Sequence, residues 1–183
     1  NSGAFLGTLN LHKELINNNV DSIILNDTKI KDLYLKNYYS LSNNTFSILK
    51  IKIINILNNL PKIFYFKKNK ETFNNSFFGI RLSENNKLFD VDIIHVHWIA
   101  KTYSDLSFIK DLNKPTIWTF RDMWPFTGGC HYSLECNKFQ KSCGKCRILG
   151  SSGLKDISSI NHNIKKKKIS DNVHLVTISN WLK

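Results

Sequence analysis

Several familiar signals are missing from this chain. Methionine occurs once, as Met123, and the sequence opens on Asn1-Ser2-Gly3, so the chain reads as a piece of a longer protein. No basic segment followed by an apolar stretch and a small-residue cleavage site stands at the front, which leaves secretion unsupported. Nor is there an uncharged apolar run of about 18 residues, the least that a membrane-spanning helix needs. No internal repeat is evident. Cysteine is confined to one short span, Cys130 to Cys146. Acidic residues are also scarce: 14 against 26 basic ones, a net charge of +12. That excess attracts phosphate-bearing partners such as nucleic acid, anionic lipid or phosphorylated substrates, and charge alone does not choose among them. Alternatively, the lysines between Lys50 and Lys70 and at Lys165 to Lys168 are solvated faces in Asn-rich surroundings.

What is present suits a folded domain. At 42% hydrophobic and 22% charged residues, the 183-residue chain has ordinary globular usage and the length of one domain, or of one domain in a larger protein. Phe5, Leu6, Leu9, Leu15 and Ile16 recur at helical spacing and Asn17-Asn18-Asn19 supplies a stop, predicting a helix from Gly3 to Asn17. Asp21 to Leu25 has the bulk of a buried parallel strand. Thr28 to Asn44 is polar, Tyr-rich and without a clear period, and is expected to be loop with at most a short helix. Beyond it, Phe46, Leu49, Ile53, Ile56, Leu57 and Leu60 form an apolar stripe flanked by Lys50 and Lys52 and ended by Pro61. Such a stripe either packs on a sheet or lies on an anionic membrane surface, and packing is the preferred expectation. Val91 to Trp98, Thr116 to Phe120 and Val173 to Ile178 are strand candidates, with a helix expected from Ser104 to Leu112 and a basic stretch from Asn163 to Lys168. Strands separated by helix-length segments predict an α/β fold with a parallel sheet flanked by helices.

In open α/β sheets, ligands sit beyond the carboxyl ends of the strands. His97-Trp98 and Arg121-Asp122 occupy two such ends and make a candidate pocket. The Ser2-Gly3 turn, at the start of the first helix, offers backbone N–H groups to a phosphate. Alternatively, His95 and His97 only close strand ends by hydrogen bonding. Arg121 stays protonated, so it binds or neutralises negative charge and cannot act as a base. Asp122 has three open roles: to orient Arg121, to accept from a substrate hydroxyl, or to cap a turn with Pro125 and Gly128-Gly129. The cysteines read Cys130-x5-Cys136-x6-Cys143-x2-Cys146, with Gly144 inside the last pair. Four thiolates are the ligand set of a closed structural zinc site, with His131 as a spare ligand. Reduced thiols packed in a loop are the next alternative, and disulfides, which need an oxidising compartment, the last.

The segments DIIHVHWI (Asp92 to Ile99) and PTIWTFRDMWPFTGGCHY (Pro115 to Tyr132) resemble bacterial family 4 glycosyltransferases of the colanic-acid type. The likeness extends to Ser2-Gly3-Ala4 with Leu11-His12-Lys13 and to Ile178 to Leu182, and is faint between Asp27 and Asp90. It implies a GT-B fold, of which residues 1–183 would be the N-terminal, acceptor-side Rossmann-like domain. The opening strand and the donor domain with its paired glutamates would lie outside the chain, leaving this piece inactive alone. The whole enzyme would transfer a sugar with retention, from a nucleotide-sugar to a lipid-linked or polysaccharide acceptor, in surface-polysaccharide assembly. It would be cytoplasmic and peripheral to the inner membrane, with no nucleic-acid partner. Ser2 and Gly3 would then lie near the donor diphosphate or acceptor, and His97 with Trp98 near the acceptor pocket. Arg121 stands where many members place a catalytic histidine, a departure that would let it stabilise the departing diphosphate. The family needs no catalytic divalent ion, so zinc on the cysteines would brace the loop. Two rivals stand beside this expectation: a zinc-containing basic nucleic-acid-binding module and a non-catalytic scaffold.

Overall fold

The protein is described from a computed structural model, covering residues 3–27, 37–42, 44–65, 71–101, 105–169 and 172–183. The chain forms two compact units, Asn1–Ile53 and Ile54–Lys183.

In the first unit, helix α1 (Gly3–Asn17) takes the predicted span and buries Leu9 and His12. It stops as the Asn run requires: Asn19 turns left-handed at φ 59° and the Val20 N–H returns to the Leu15 carbonyl. Strand β1 (Ile24–Asn26) is shorter than expected and displaced toward its C-terminal side. Its parallel partner β2 (Tyr38–Ser40) falls in the segment read as loop. No apolar run marks β2; it is set by register, with Ile24 opposite Tyr38 and Asn26 opposite Ser40.

Helix α2 (Thr45–Asn59) begins where the Asn44 carboxamide accepts from the Ser47 N–H. Pro61 ends the α-helix, and the chain tightens into a 3-10 turn, Leu60–Phe64. The stripe expected to pack on a sheet does not do so. Only Ile54 and Asn58 of α2 are buried, while Phe46 and Ile56 stay 76% and 64% exposed and Phe64, beyond the proline, 79%.

The second unit holds a parallel sheet of β3 (Ile94–Val96), β4 (Thr116–Phe120) and β5 (Val173–Thr177), in that spatial order. Helices α3 (Phe108–Leu112) and α4 (Ile157–Lys168) lie in the crossovers that parallel neighbours require. β4, in the middle, is nearly all buried, and Trp118 and Phe120 meet edge to face at 5.4 Å. β3 is only the centre of the predicted Val91 to Trp98, and α3 takes the last part of the predicted helix, whose start at Ser104 lies outside the described residues. The fold is thus mixed α/β with small parallel sheets flanked by helices.

The stretch read only as basic, Asn163 to Lys168, is the second half of α4. Asp156 caps it, accepting from the Ser158 and Ser159 N–H groups. Apart from Ile157, its buried face is polar: Ser158, Asn161, His162 and Lys165. Asn161 accepts from Ser76 and donates to Asn75, closing a fully buried amide cluster. Among the described residues no helix is long and apolar enough to cross a membrane.

Candidate functional site

β3 and β4 run in register, His95 opposite Ile117 and Val96 opposite Trp118, so both chains leave the sheet at one edge. There the structure brings together His97, Trp98, Arg121 and Asp122. Arg121 Nη2 donates to His97 Nδ1 at 3.4 Å, and His95 stacks on His97 with ring centroids 4.3 Å apart. His95 itself pairs with the Thr119 hydroxyl at 2.8 Å. Burial, then the neighbouring His95 and Arg121, push the His97 pKa down to about 3, so the ring is neutral and free to accept. Arg121 Nε is buried and bonds to nothing among the described residues, which leaves a cationic donor unspent.

Asp122 has a different position. It is 8% exposed, and both oxygens are occupied. Oδ2 accepts from Trp98 Nε1 at 2.8 Å and pairs with His131 Nδ1 at 2.7 Å, while Oδ1 accepts from the Trp124 N–H at 2.9 Å. Of the three roles open to it, the geometry fits the turn cap, through the Trp124 N–H: Asp122 holds the Trp98, His131 and Trp124 corner. His131, the spare metal ligand of the sequence, is bonded instead between Asp122 and the Asn74 side chain, 2.7 Å from each. Burial raises the Asp122 pKa, but the bonds from His131, the Trp124 N–H and Trp98 outweigh it and hold the carboxyl below its ordinary value. Asn74, which no motif in the sequence marks, also accepts from the Trp124 indole at 3.0 Å. Ser2 lies outside the described residues, and Gly3 opens α1 in the first unit.

The cysteine segment packs beside this corner. All four cysteines are free thiols. Cys130 bridges backbone with Phe73, and with Cys146 it packs on the apolar cluster of Phe73, Ile148, Leu149 and Ile157. Cys130, Cys143 and Cys146 lie close enough to feel one another's charge; burial foremost raises all three thiols, that of Cys143 to about 12. Beside them the Lys165 ammonium is fully enclosed, and burial pushes its pKa down to about 7. Cys136 sits in the turn whose N–H returns to the Ser133 carbonyl. As they stand, no three His, Cys, Asp or Glu side chains among the described residues are arranged to hold a metal ion.

Gly144 makes the Cys143–Cys146 turn possible. Its φ is +136°, and a Cβ there would lie 2.2 Å from the Leu154 carbonyl oxygen. Gly144→Ala is expected to cost about 2–4 kcal/mol, from left-handed strain and the displaced backbone together, read as a fall in the denaturant midpoint. No protein-family model matches the chain, and neither does any curated protein or solved structure.

Proposed function

We propose that the chain is the acceptor-side Rossmann-like half of a retaining GT-B glycosyltransferase, acting with a donor-binding half on a nucleotide-sugar. The observation that carries this reading is the pairing of a neutral His97 with a partly unspent Arg121 at the carboxyl edge of adjacent parallel strands. In sugar transfer, negative charge develops on the departing diphosphate while positive charge spreads over the sugar ring. A guanidinium already oriented by His97 stabilises the first of these without reorganising. His97, held neutral, accepts from Arg121 and fixes its direction. Trp98, its indole tied to Asp122, presents a partly exposed ring of the kind on which sugars stack.

A lipid-linked acceptor and an anionic membrane surface fit the end of α2 and the turn after it. Ile56, Ile63 and Phe64 are exposed there, and Lys62 is a neighbour in the chain. A groove of about 710 Å³ is lined by Ile56, Leu60, Ile63, Phe73, Ile148 and Leu149 together with Asn55, Asn59, Lys62 and Glu71, an apolar wall with polar groups that suits an acyl or prenyl chain next to its headgroup. It shares no residue with the His97–Arg121 corner, so it is assigned to the lipid portion of an acceptor and not to the reacting sugar.

Incubating the full-length protein with a panel of nucleotide-sugars and membrane lipids tests the reading. Release of nucleoside diphosphate that depends on lipid supports it; no turnover of any donor, together with tight oligonucleotide binding that weakens steeply with salt, favours the basic nucleic-acid module. Vesicle flotation tests the surface. Phosphatidylglycerol-containing vesicles are expected to retain the protein, and Ile63→Asp combined with Phe64→Asp to cut retention by roughly tenfold or more, since each side chain contributes about 1.5–3 kcal/mol on burial.

A further inference from the structure

We propose that Tyr132 and Trp181 form a glycan-stacking subsite beside the His97–Arg121 corner, so that the acceptor is an extended oligosaccharide and not a single sugar. The role as acceptor rests on the glycosyltransferase reading, whereas the subsite is read from the rings themselves. β5 pairs with β4 along its whole length, and Thr177 lies opposite Phe120. The chain therefore leaves β5 level with the exit of β4 into Arg121, at the same sheet edge where β3 runs out into His97 and Trp98. Neighbouring strands are about 4.8 Å apart, so the three exits span roughly 10 Å, with Arg121 on the middle one. Past β5, the Leu182 N–H returns to the Ser179 carbonyl at 3.2 Å, and this turn carries Trp181.

Tyr132 arrives from the cysteine segment and is held on both sides. The Met123 N–H donates to the His131 carbonyl at 2.9 Å, and the Ser133 N–H to Met123 Sδ at 3.3 Å, so Tyr132 sits between two residues fastened just beyond β4. Its ring meets that of Trp181 with centroids 6.1 Å apart and planes tilted by 35°. Both rings nevertheless stay open to solvent, 52% and 64% exposed. Among the described residues neither the Tyr132 hydroxyl nor the Trp181 indole N–H has a hydrogen-bond partner. An aromatic body with an unused polar tip matches a ligand of the same make-up: a sugar lays its C–H face on the π cloud and turns its hydroxyls to the rim. The exposed Phe46 and Phe64 lack such a tip. Because the backbone on either side of Tyr132 is already fixed, little freedom is lost on binding. A glycan whose terminal sugar reaches Arg121 would lay its following units across this pair.

Saturation-transfer NMR of the full-length protein with linear cello-, chito- and alginate oligosaccharides, each beside its monosaccharide, tests the subsite without donor or turnover. At least one oligosaccharide series is expected to bind where its monosaccharide does not. Tyr132→Ala and Trp181→Ala should each weaken that binding by roughly tenfold. Trp181→Phe, which keeps a ring, should recover most of it, and the melting temperature should hold in all three because the rings are exposed. Oligosaccharide binding that needs both rings, with no nucleotide-sugar turned over, keeps the subsite and removes the glycosyltransferase reading. Turnover whose KM for the acceptor is unmoved by either alanine variant keeps that reading and overturns the subsite. So does a failure of every oligosaccharide to bind, or rings whose loss weakens only the binding of single-stranded oligonucleotides.

Discussion

On the proposed glycosyltransferase reading, replacing Arg121 with alanine is expected to lower kcat for sugar transfer by the full-length protein by about 10²–10³-fold, with KM for the donor changed far less. The loss falls on kcat because the guanidinium meets charge that develops only as the diphosphate departs. Arg121 contributes little to folding, since its one side-chain bond among the described residues is a long contact with His97; the melting temperature should hold. Arg121→Lys is expected to recover no more than a small part of the rate, because an ammonium cannot keep one donor on His97 while aiming a fixed fork at an oxyanion. A variant that turns over within about threefold of the parent removes Arg121 from the chemistry.

Asp122→Ala should have the largest effect on stability. Removing this carboxylate takes the acceptor from the Trp98 Nε1–H, the Trp124 N–H and the His131 Nδ1 in a largely buried corner. The expected cost is about 3–5 kcal/mol, and the melting temperature should fall on the order of 10 °C. Acid sensitivity changes with it. The folded pKa of Asp122 is depressed, so its stabilisation is complete above the unfolded value of about 3.9 and is lost as pH falls through the folded one. His97 acts over a higher window: between about 6.5 and its folded value of about 3 the unfolded chain binds the extra proton, so stability declines as pH drops below about 6.5. The alanine variant should keep the His97 slope and lose the Asp122 slope, which denaturant titrations from about pH 7 to about pH 3 would resolve.

How much of this is legible in the sequence varies by element. β4 is legible because Thr116 to Phe120 is a compact run of β-formers behind a proline, and α1 because its apolar spacing and Asn stop agree. The approach of His97 to Arg121 follows from two apolar strands ending in polar residues, a pattern that parallel pairing converts into proximity. β2 is hidden because three residues of Tyr and Ser carry no period. The buried face of α4 is hidden for a different reason. Ser158, Asn161, His162 and Lys165 fall at helical intervals, but in polar residues that hydrophobic periodicity does not register. His131 and Asn74 give no local signal either, since their pairing joins residues 57 positions apart. For α2 the period holds and the burial does not: a stripe shows which side of a helix is apolar, not what that side faces.

The amides buried beneath α4 bear on how this unit is made. Asn161 completes the bonding of Ser76 and Asn75 from 85 and 86 residues downstream. A ribosome adding about 5–20 residues per second delivers those partners several seconds after the earlier segment has emerged. Until then the waiting carboxamides are hydrated and the segment has no reason to settle. The unit is therefore expected to close late and all at once, and a nascent chain arrested before Ile157 should be open to protease throughout that early stretch.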